Sequence, residues 1–240
     1  MSAVRNSWLS AALEVTLPSH CVTCGSAARR GAPFCADCRR KLPRIRGNRC
    51  EVCSEPFAAV DSGLVCTNCR GRSFHFVATL AAYRANGEIR ELIHRLKYNR
   101  ELHLVRPLGT LLKRNLLDDR LRGVRLDGLI PVPLHALRER EREFNQSRLL
   151  AEELARRTQI PLFDDLKRIR ATETQTHFDR RARMQNLRGA FILRRIDRVT
   201  GKTLALIDDV FTTGSTLDEC SRVLLEAGAR SVWALTVARA

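Results

Sequence analysis

Thr203–Ile207 is an unbroken apolar run, the pattern of a parallel strand buried on both faces. Two carboxylates, Asp208 and Asp209, end it. From Ser215 the apolar residues Leu217, Cys220, Val223, Leu224 and Ala227 recur at helical spacing, and Gly228 follows where a left-handed residue stops a helix. Ser231–Ala238 is a further strand, so the carboxyl-terminal third reads as a βαβ unit. Upstream, Phe76–Arg84 alternates as a strand, and Gly87–Lys97 places Ile89, Leu92, Ile93 and Leu96 on one helical face. A second helix is predicted over Leu102–Leu117, where Pro107 marks an interruption or a fresh start. Leu126–Val132 predicts another buried strand. Arg138–Ser147 alternates in charge before Phe144-Asn145-Gln146-Ser147, where the asparagine or the serine caps a helix running through Arg157. Arg170–Gly189 is long and polar, as a mobile loop would be.

The chemistry sits at the end of the Thr203 strand. Open α/β sheets bind ligands at the carboxyl ends of their strands. Here the acidic pair is followed by Thr212, Thr213, Gly214, Ser215 and Thr216, small residues that feed a helix N-terminus. Such a turn lets amides converge on an anion, and the helix dipole adds to the attraction. The chain has neither GxxxxGK[ST] nor GxGxxG, which excludes the P-loop and the Rossmann fingerprint. Carboxylates accept hydrogen bonds from hydroxyls, so the fitting ligand carries a phosphate one sugar away from a vicinal diol. A ribose 5-phosphate has that form. The site resembles that of phosphoribosyltransferases, and the resemblance implies that the polar loop closes over a departing pyrophosphate, excluding water and neutralising charge, a role that falls here to Arg180, Arg181 and Arg183.

Composition adds a basic field and a metal module. The 240 residues hold 42 Lys and Arg against 26 Asp and Glu, a net charge of +16. That charge attracts polyanions such as nucleic acid, or forms a solvated basic surface without a single partner. Residues 1–17 contain a short apolar stripe (Trp8, Leu9, Ala11, Ala12, Leu13), too short for a membrane span or a clear signal peptide and suited to a docking amphipathic helix. A cytoplasmic location is expected. Eight of the nine cysteines form C-x-x-C pairs: Cys21/Cys24, Cys35/Cys38, Cys50/Cys53 and Cys66/Cys69. In a reducing compartment such pairs grip tetrahedral zinc, and four thiolates per ion leave no open position, so both zinc ions would be structural. Consecutive pairing is favoured because ribbons close locally, while the similar gaps also admit an interleaved arrangement. Basic residues from Arg29 to Arg49 thread the first ribbon; they suit a nucleic-acid backbone such as single-stranded DNA, or a solvated rim. Cys220 reads as a core residue. The division expected is 1–74 for the ribbons and 75–240 for the α/β domain.

The acidic pair and its loop resemble the signature of type I phosphoribosyltransferases. That resemblance implies that Asp208 and Asp209 hold the ribose hydroxyls of phosphoribosyl pyrophosphate and Thr212–Thr216 its 5-phosphate. It also implies that Pro131, Val132, Pro133, Leu134 and His135 cradle pyrophosphate, and that Mg²⁺ accompanies the ligand. Taken with the four C-x-x-C pairs, PVPLHALRERER, FNQ, TQTHFDRRARMQNLRGAF and LIDDVFTTGST resemble the ComF family from about Cys21 to Ala238. The implied fold is an α/β, type I phosphoribosyltransferase-like parallel sheet with an amino-terminal double zinc ribbon. The implied function is a candidate phosphoribosyltransferase of unidentified acceptor, linked to natural transformation and DNA use, with DNA-uptake machinery as partner. The alternative is a non-catalytic nucleic-acid-binding module that uses the fold as a ligand sensor. Phe144, Asn145, Gln146, Thr174, Gln175, Arg183 and Asn186 match family positions of less definite role. Glu143 stands where the family commonly has glycine, which predicts an altered turn or an earlier helix start.

Overall fold

The computed structural model describes residues 19–57, 64–170 and 187–240. The expected amino-terminal helix and most of the polar loop, with Thr174, Gln175, Arg180, Arg181, Arg183 and Asn186, lie outside the described residues. Contacts divide the chain into two compact units, Met1–Leu42 and Pro43–Ala240.

In the smaller unit, β1 (Ser19–His20) pairs antiparallel with β2 (Ala27–Ala28), and α1 (Ala36–Lys41) follows. Cys21 and Cys24 occupy the turn between the strands, while the Cys35 sulfur caps α1 by accepting from the Cys38 amide.

The larger unit is built on a four-stranded, fully parallel sheet. Its strands are β3 (Thr79–Leu80), β4 (Gly128–Pro131), β7 (Thr203–Phe211) and β8 (Ser231–Arg239), in the spatial order β3-β8-β7-β4. Around it stand α2 (Gly87–Tyr98), α3 (Val105–Lys113), α4 (Ala136–Arg142), α5 (Gln146–Thr158) and α6 (Ser215–Glu226). A small antiparallel pair, β5 (Leu166–Arg168) with β6 (Phe191–Leu193), lies beside α6. Every residue of β8 after Ser231 is buried, and so is Thr203–Ile207 of β7. Each leucine buried in this way contributes about 1.5–3 kcal/mol. None of the described helices is long and apolar enough to cross a membrane.

Three expectations change in detail. The Leu102–Leu117 helix is a 3₁₀ turn (Leu102–Leu104), then α3, then a second 3₁₀ turn (Arg114–Leu117), with Pro107 in the first turn of α3. Proline there loses no intrahelical bond, so the fresh-start alternative holds. The Phe76–Arg84 strand shrinks to a two-residue ladder with bridges at Tyr83 and Arg84. Finally, β7 runs on to Phe211 because Asp208, Val210 and Phe211 stay in register with Thr236, Ala238 and Arg239. The acidic pair therefore lies inside the strand and is held by its ladder.

Candidate functional site

Asp208 and Asp209 are received by the first turn of α5. Asn145 caps that helix, its side-chain oxygen accepting from the Ser147 amide at 3.0 Å and the Arg148 amide at 3.4 Å. Because asparagine takes the cap, the Ser147 hydroxyl is free to donate to Asp208 Oδ1 at 2.7 Å. Gln146 Nε2 donates to Asp209 Oδ1 at 3.3 Å, and Arg142 Nη1 donates to Gln146 Oε1 at 3.1 Å. Lys97, in the last turn of α2, forms an ion pair with Asp209 Oδ2. Asp209 is only 4% exposed. The Asp208 carboxyl is pushed up to about 7, first by burial and then by the charge of Asp209, against the pull of Ser147 and Lys97. Two adjacent carboxylates thus share one lysine, in a place where hydroxyl groups of a ligand would be welcome donors.

One turn of chain later comes the anion-type loop. Gly214 has φ of +80° and precedes α6. A Cβ at this position would lie 2.8 Å from the Phe211 ring and 3.4 Å from the Phe74 ring. Only glycine suits both the angle and the space. Thr213 Oγ1 and Ser215 Oγ lie 3.1 Å apart, and Thr212 is exposed. Hydroxyls and helix-start amides are gathered here as an anion site requires.

The segment expected to cradle pyrophosphate, Pro131–His135, has few free amides. Pro131 and Pro133 have no N–H. The Val132 amide donates to the Ile207 carbonyl at 3.0 Å, and the Val132 carbonyl accepts from Asn145 Nδ2 at 3.0 Å. That leaves Leu134 and His135 as the amides of the segment, with His135 also capping α4 through Nδ1 and bridging to Arg168. Arg168, which sequence reasoning passed over, is half-buried beside them with its guanidinium 5.6 Å from the Phe191 ring.

A cleft of about 370 Å³ is lined by Lys97, the ion-pair partner of Asp209, together with Tyr98, Arg100, Arg138, Glu141 and Arg142. A larger cavity, about 850 Å³, opens at the opposite ends of the strands, beside Thr203 and Ser231. The smaller one shares Lys97 with the carboxylates and is therefore the one tied to this chemistry.

Glu143, at the end of α4, has φ of +69°. The turn keeps the left-handed geometry that glycine would provide, and glutamate adopts it beside an exposed ion pair to Arg100 at 2.8 Å. A left-handed non-glycine residue costs roughly 1–2 kcal/mol, while an exposed ion pair offsets at most about 1 kcal/mol. Glu143→Gly should accordingly raise stability by about 0.5–1 kcal/mol in urea unfolding. A loss of stability would mean that the Arg100 pair outweighs the strain.

Both cysteine groups are consecutive: Cys21, Cys24, Cys35 and Cys38 form one, Cys50, Cys53, Cys66 and Cys69 the other, with all sulfurs of a group within 4.8 Å. The interleaved alternative is set aside by this geometry. Sulfur separations of 3.8 Å (Cys24–Cys35) and 3.6 Å (Cys53–Cys66) fit the roughly 3.8 Å edge of a tetrahedron with zinc–sulfur bonds of about 2.3 Å. The donor sets are therefore compatible with two structural zinc ions. Cys220 is fully buried and burial pushes its thiol well up, as befits a core residue.

Lys97 and the partners of Ser147 and Gln146 were not assigned from sequence. Lys97 offers only a weak signal, a cation in the last turn of an amphipathic helix.

Residues 12–70 match a family model described as a double zinc ribbon domain, and residues 145–240 match one described as a phosphoribosyl transferase domain. The chain is 33% identical over 227 residues to the DNA utilization protein YhgH of Salmonella typhimurium, covering 92% of this chain and 98% of that one. It is 31% identical over 212 residues to competence protein F of Haemophilus influenzae (87% and 85% covered), and 31% identical over 213 residues to competence protein ComFC of Bacillus subtilis (85% and 83% covered).

Proposed function

We propose, because this chain belongs to the ComF family of competence and DNA-utilisation proteins, that its α/β domain binds phosphoribosyl pyrophosphate with Mg²⁺ and transfers the phosphoribosyl group to an acceptor in the course of DNA use. The observation that carries this reading is the acidic pair held by Ser147, Gln146 and Lys97 just ahead of the Gly214 turn. The pair expected to take a diol and the turn expected to take a phosphate follow one another from β7 into α6, the order that a ribose 5-phosphate demands.

In this reading Asp208 and Asp209 accept from the two ribose hydroxyls and fix the sugar's orientation. The Thr212–Thr216 turn holds the 5-phosphate, with the α6 dipole behind it. Mg²⁺, when bound, supplies positive charge to the pyrophosphate and the ribose oxygens. The bond from carbon 1 to pyrophosphate breaks with its electron pair leaving on that group, and the acceptor's lone pair forms the new bond. Leu134, His135 and Arg168 stand nearest the leaving group in this scheme, with Arg180 and Arg183 proposed to close over it. The acceptor enters by the cleft beside Lys97, whose four cations against one Glu141 favour an anionic molecule.

The test is pyrophosphate release with Mg²⁺ across a panel of nitrogen acceptors, including nucleotides and short single-stranded DNA. Release that requires one acceptor supports a transferase. No release with any of them, together with salt-sensitive binding of single-stranded DNA, would replace this reading with that of a binding module.

A further inference from the structure

The second cysteine cluster is not a separate knob on the larger unit. Cys50, Cys53, Cys66 and Cys69 share one apolar core with Phe76, Phe211 and Leu217, residues that lie behind the phosphate-type turn. The chain leaving this cluster runs straight to that turn. Arg72, whose amide donates to the Cys69 carbonyl at 3.1 Å, extends Nη2 to the Thr213 carbonyl at 3.4 Å. Its guanidinium lies 4.3 Å from the Phe74 ring centroid, and Phe74 stacks on Phe76 at 4.7 Å. Phe76 in turn meets Phe211 edge-on at 6.3 Å. Phe74 and Phe211 are the two rings that close over the Cα of Gly214. Next, the His75 amide donates to Asp218 Oδ1 at 2.6 Å, which ties the same segment to the first turn of α6. From the other side of the cluster, Glu55 forms an ion pair with Arg239 at 2.9 Å, and the Arg239 guanidinium lies 5.1 Å from the Phe211 ring centroid.

We infer that metal binding at Cys50, Cys53, Cys66 and Cys69 and anion binding at Thr212–Thr216 are one linked equilibrium, with residues 72–75 as the connecting strut and Arg72 as its positioning residue. The ligand named below rests on the phosphoribosyl reading of the site; the linkage itself does not. Four thiolates folded on a zinc ion fix where residues 70–76 leave the ribbon, adding to the packing of Val52, Phe57 and Val65 against the same core. Release of that metal frees Arg72 and Phe74 from the Thr213 carbonyl and Gly214, so the turn spends less time in its anion-binding form. Linkage is reciprocal, so an anion in the turn must tighten the metal by the same factor.

The experiment compares wild type, Cys66→Ser, Cys24→Ser and Arg72→Ala by amide hydrogen exchange over residues 210–218 and by titration with phosphoribosyl pyrophosphate. Zinc transfer to a chelator is followed in wild type with and without that compound. Cys66→Ser should speed exchange in this segment and weaken affinity by roughly 10-fold or more, within the usual range of allosteric coupling. Arg72→Ala, folded and zinc-replete, should do part of the same, and saturating ligand should slow zinc loss from the second cluster by a matching factor. Should Cys66→Ser fail to fold, Arg72→Ala and the chelator race decide the matter. Equal loosening of residues 210–218 in Cys24→Ser, or unchanged exchange in Arg72→Ala with zinc loss indifferent to ligand, overturns the linkage. If wild type ignores phosphoribosyl pyrophosphate while exchange still responds to Cys66→Ser and Arg72→Ala, the linkage stands and the phosphoribosyl reading falls.

Discussion

The double variant Asp208→Asn, Asp209→Asn should bind phosphoribosyl pyrophosphate roughly 100-fold or more weakly than wild type, since two charge-assisted hydrogen bonds are each worth about 1.5–3 kcal/mol. It should nevertheless remain folded. Burial and the neighbouring carboxylate raise the Asp208 carboxyl from its ordinary 3.8 to about 7. Between those values the folded protein holds a proton that the unfolded chain has released, so this group's contribution to stability declines as pH rises from about 4 through about 7. An amide at position 208 has no such decline. The single variant Asp208→Asn should therefore melt above wild type near pH 8, with the difference shrinking toward pH 5. A melting difference of the same size at both pH values, or one that favours wild type in alkali, would contradict this picture of the pair. Binding of the ligand should fall in the opposite direction, weakening below about pH 7 as Asp208 gains its proton.

Lys97→Met should cost about 3 kcal/mol of stability, because it strands Asp209 as a buried charge beside a second carboxyl. The lysine side chain is 20% exposed and the aspartate 6%, so solvent screens this pair less than a surface one. Adding Asp209→Asn should restore most of the loss, a coupling that a double-mutant cycle in urea unfolding measures directly. Asp209→Asn alone should be mild, since Gln146 can still meet an amide at that position. A cost below about 1 kcal/mol for Lys97→Met without rescue would show that the pair is held by something other than this cation. Lys97 also lines the cleft proposed for the acceptor, so on that proposal its variant should lose turnover even where the fold survives.

Much of this was readable because it is local. An apolar run, two acids, a small-residue turn and an amphipathic helix follow one another in β7 and α6, and each step is set by neighbours in sequence. Cysteine spacing foretold the metal groups for the same reason, since each C-x-x-C pair is a local turn. What the residues did not announce depends on distant partners. Nothing about Ser147 says that it will reach Asp208, and the asparagine cap decides it only once β7 and α5 are side by side. The extension of β7 past the acids to Phe211 follows from register with β8, which apolar periodicity cannot see because the run breaks at the acids. The family resemblance made Pro131–His135 a pyrophosphate cradle, and only the pairing of β4 with β7 reveals that the Val132 amide is taken by the Ile207 carbonyl. The burial of the second cysteine group against Phe76 and Phe211 is likewise a property of the folded unit, since these partners lie outside the C-x-x-C pairs and Phe211 is far away in sequence.

The account is tested most sharply by isothermal titration of the zinc-replete wild-type chain with phosphoribosyl pyrophosphate and Mg²⁺, repeated on the Asp208→Asn, Asp209→Asn chain. A saturating heat at one ligand per chain in the first, and its loss in the second, is the result expected. No heat with wild type, or an equal heat with both proteins, would contradict the placing of the ribose on the acidic pair.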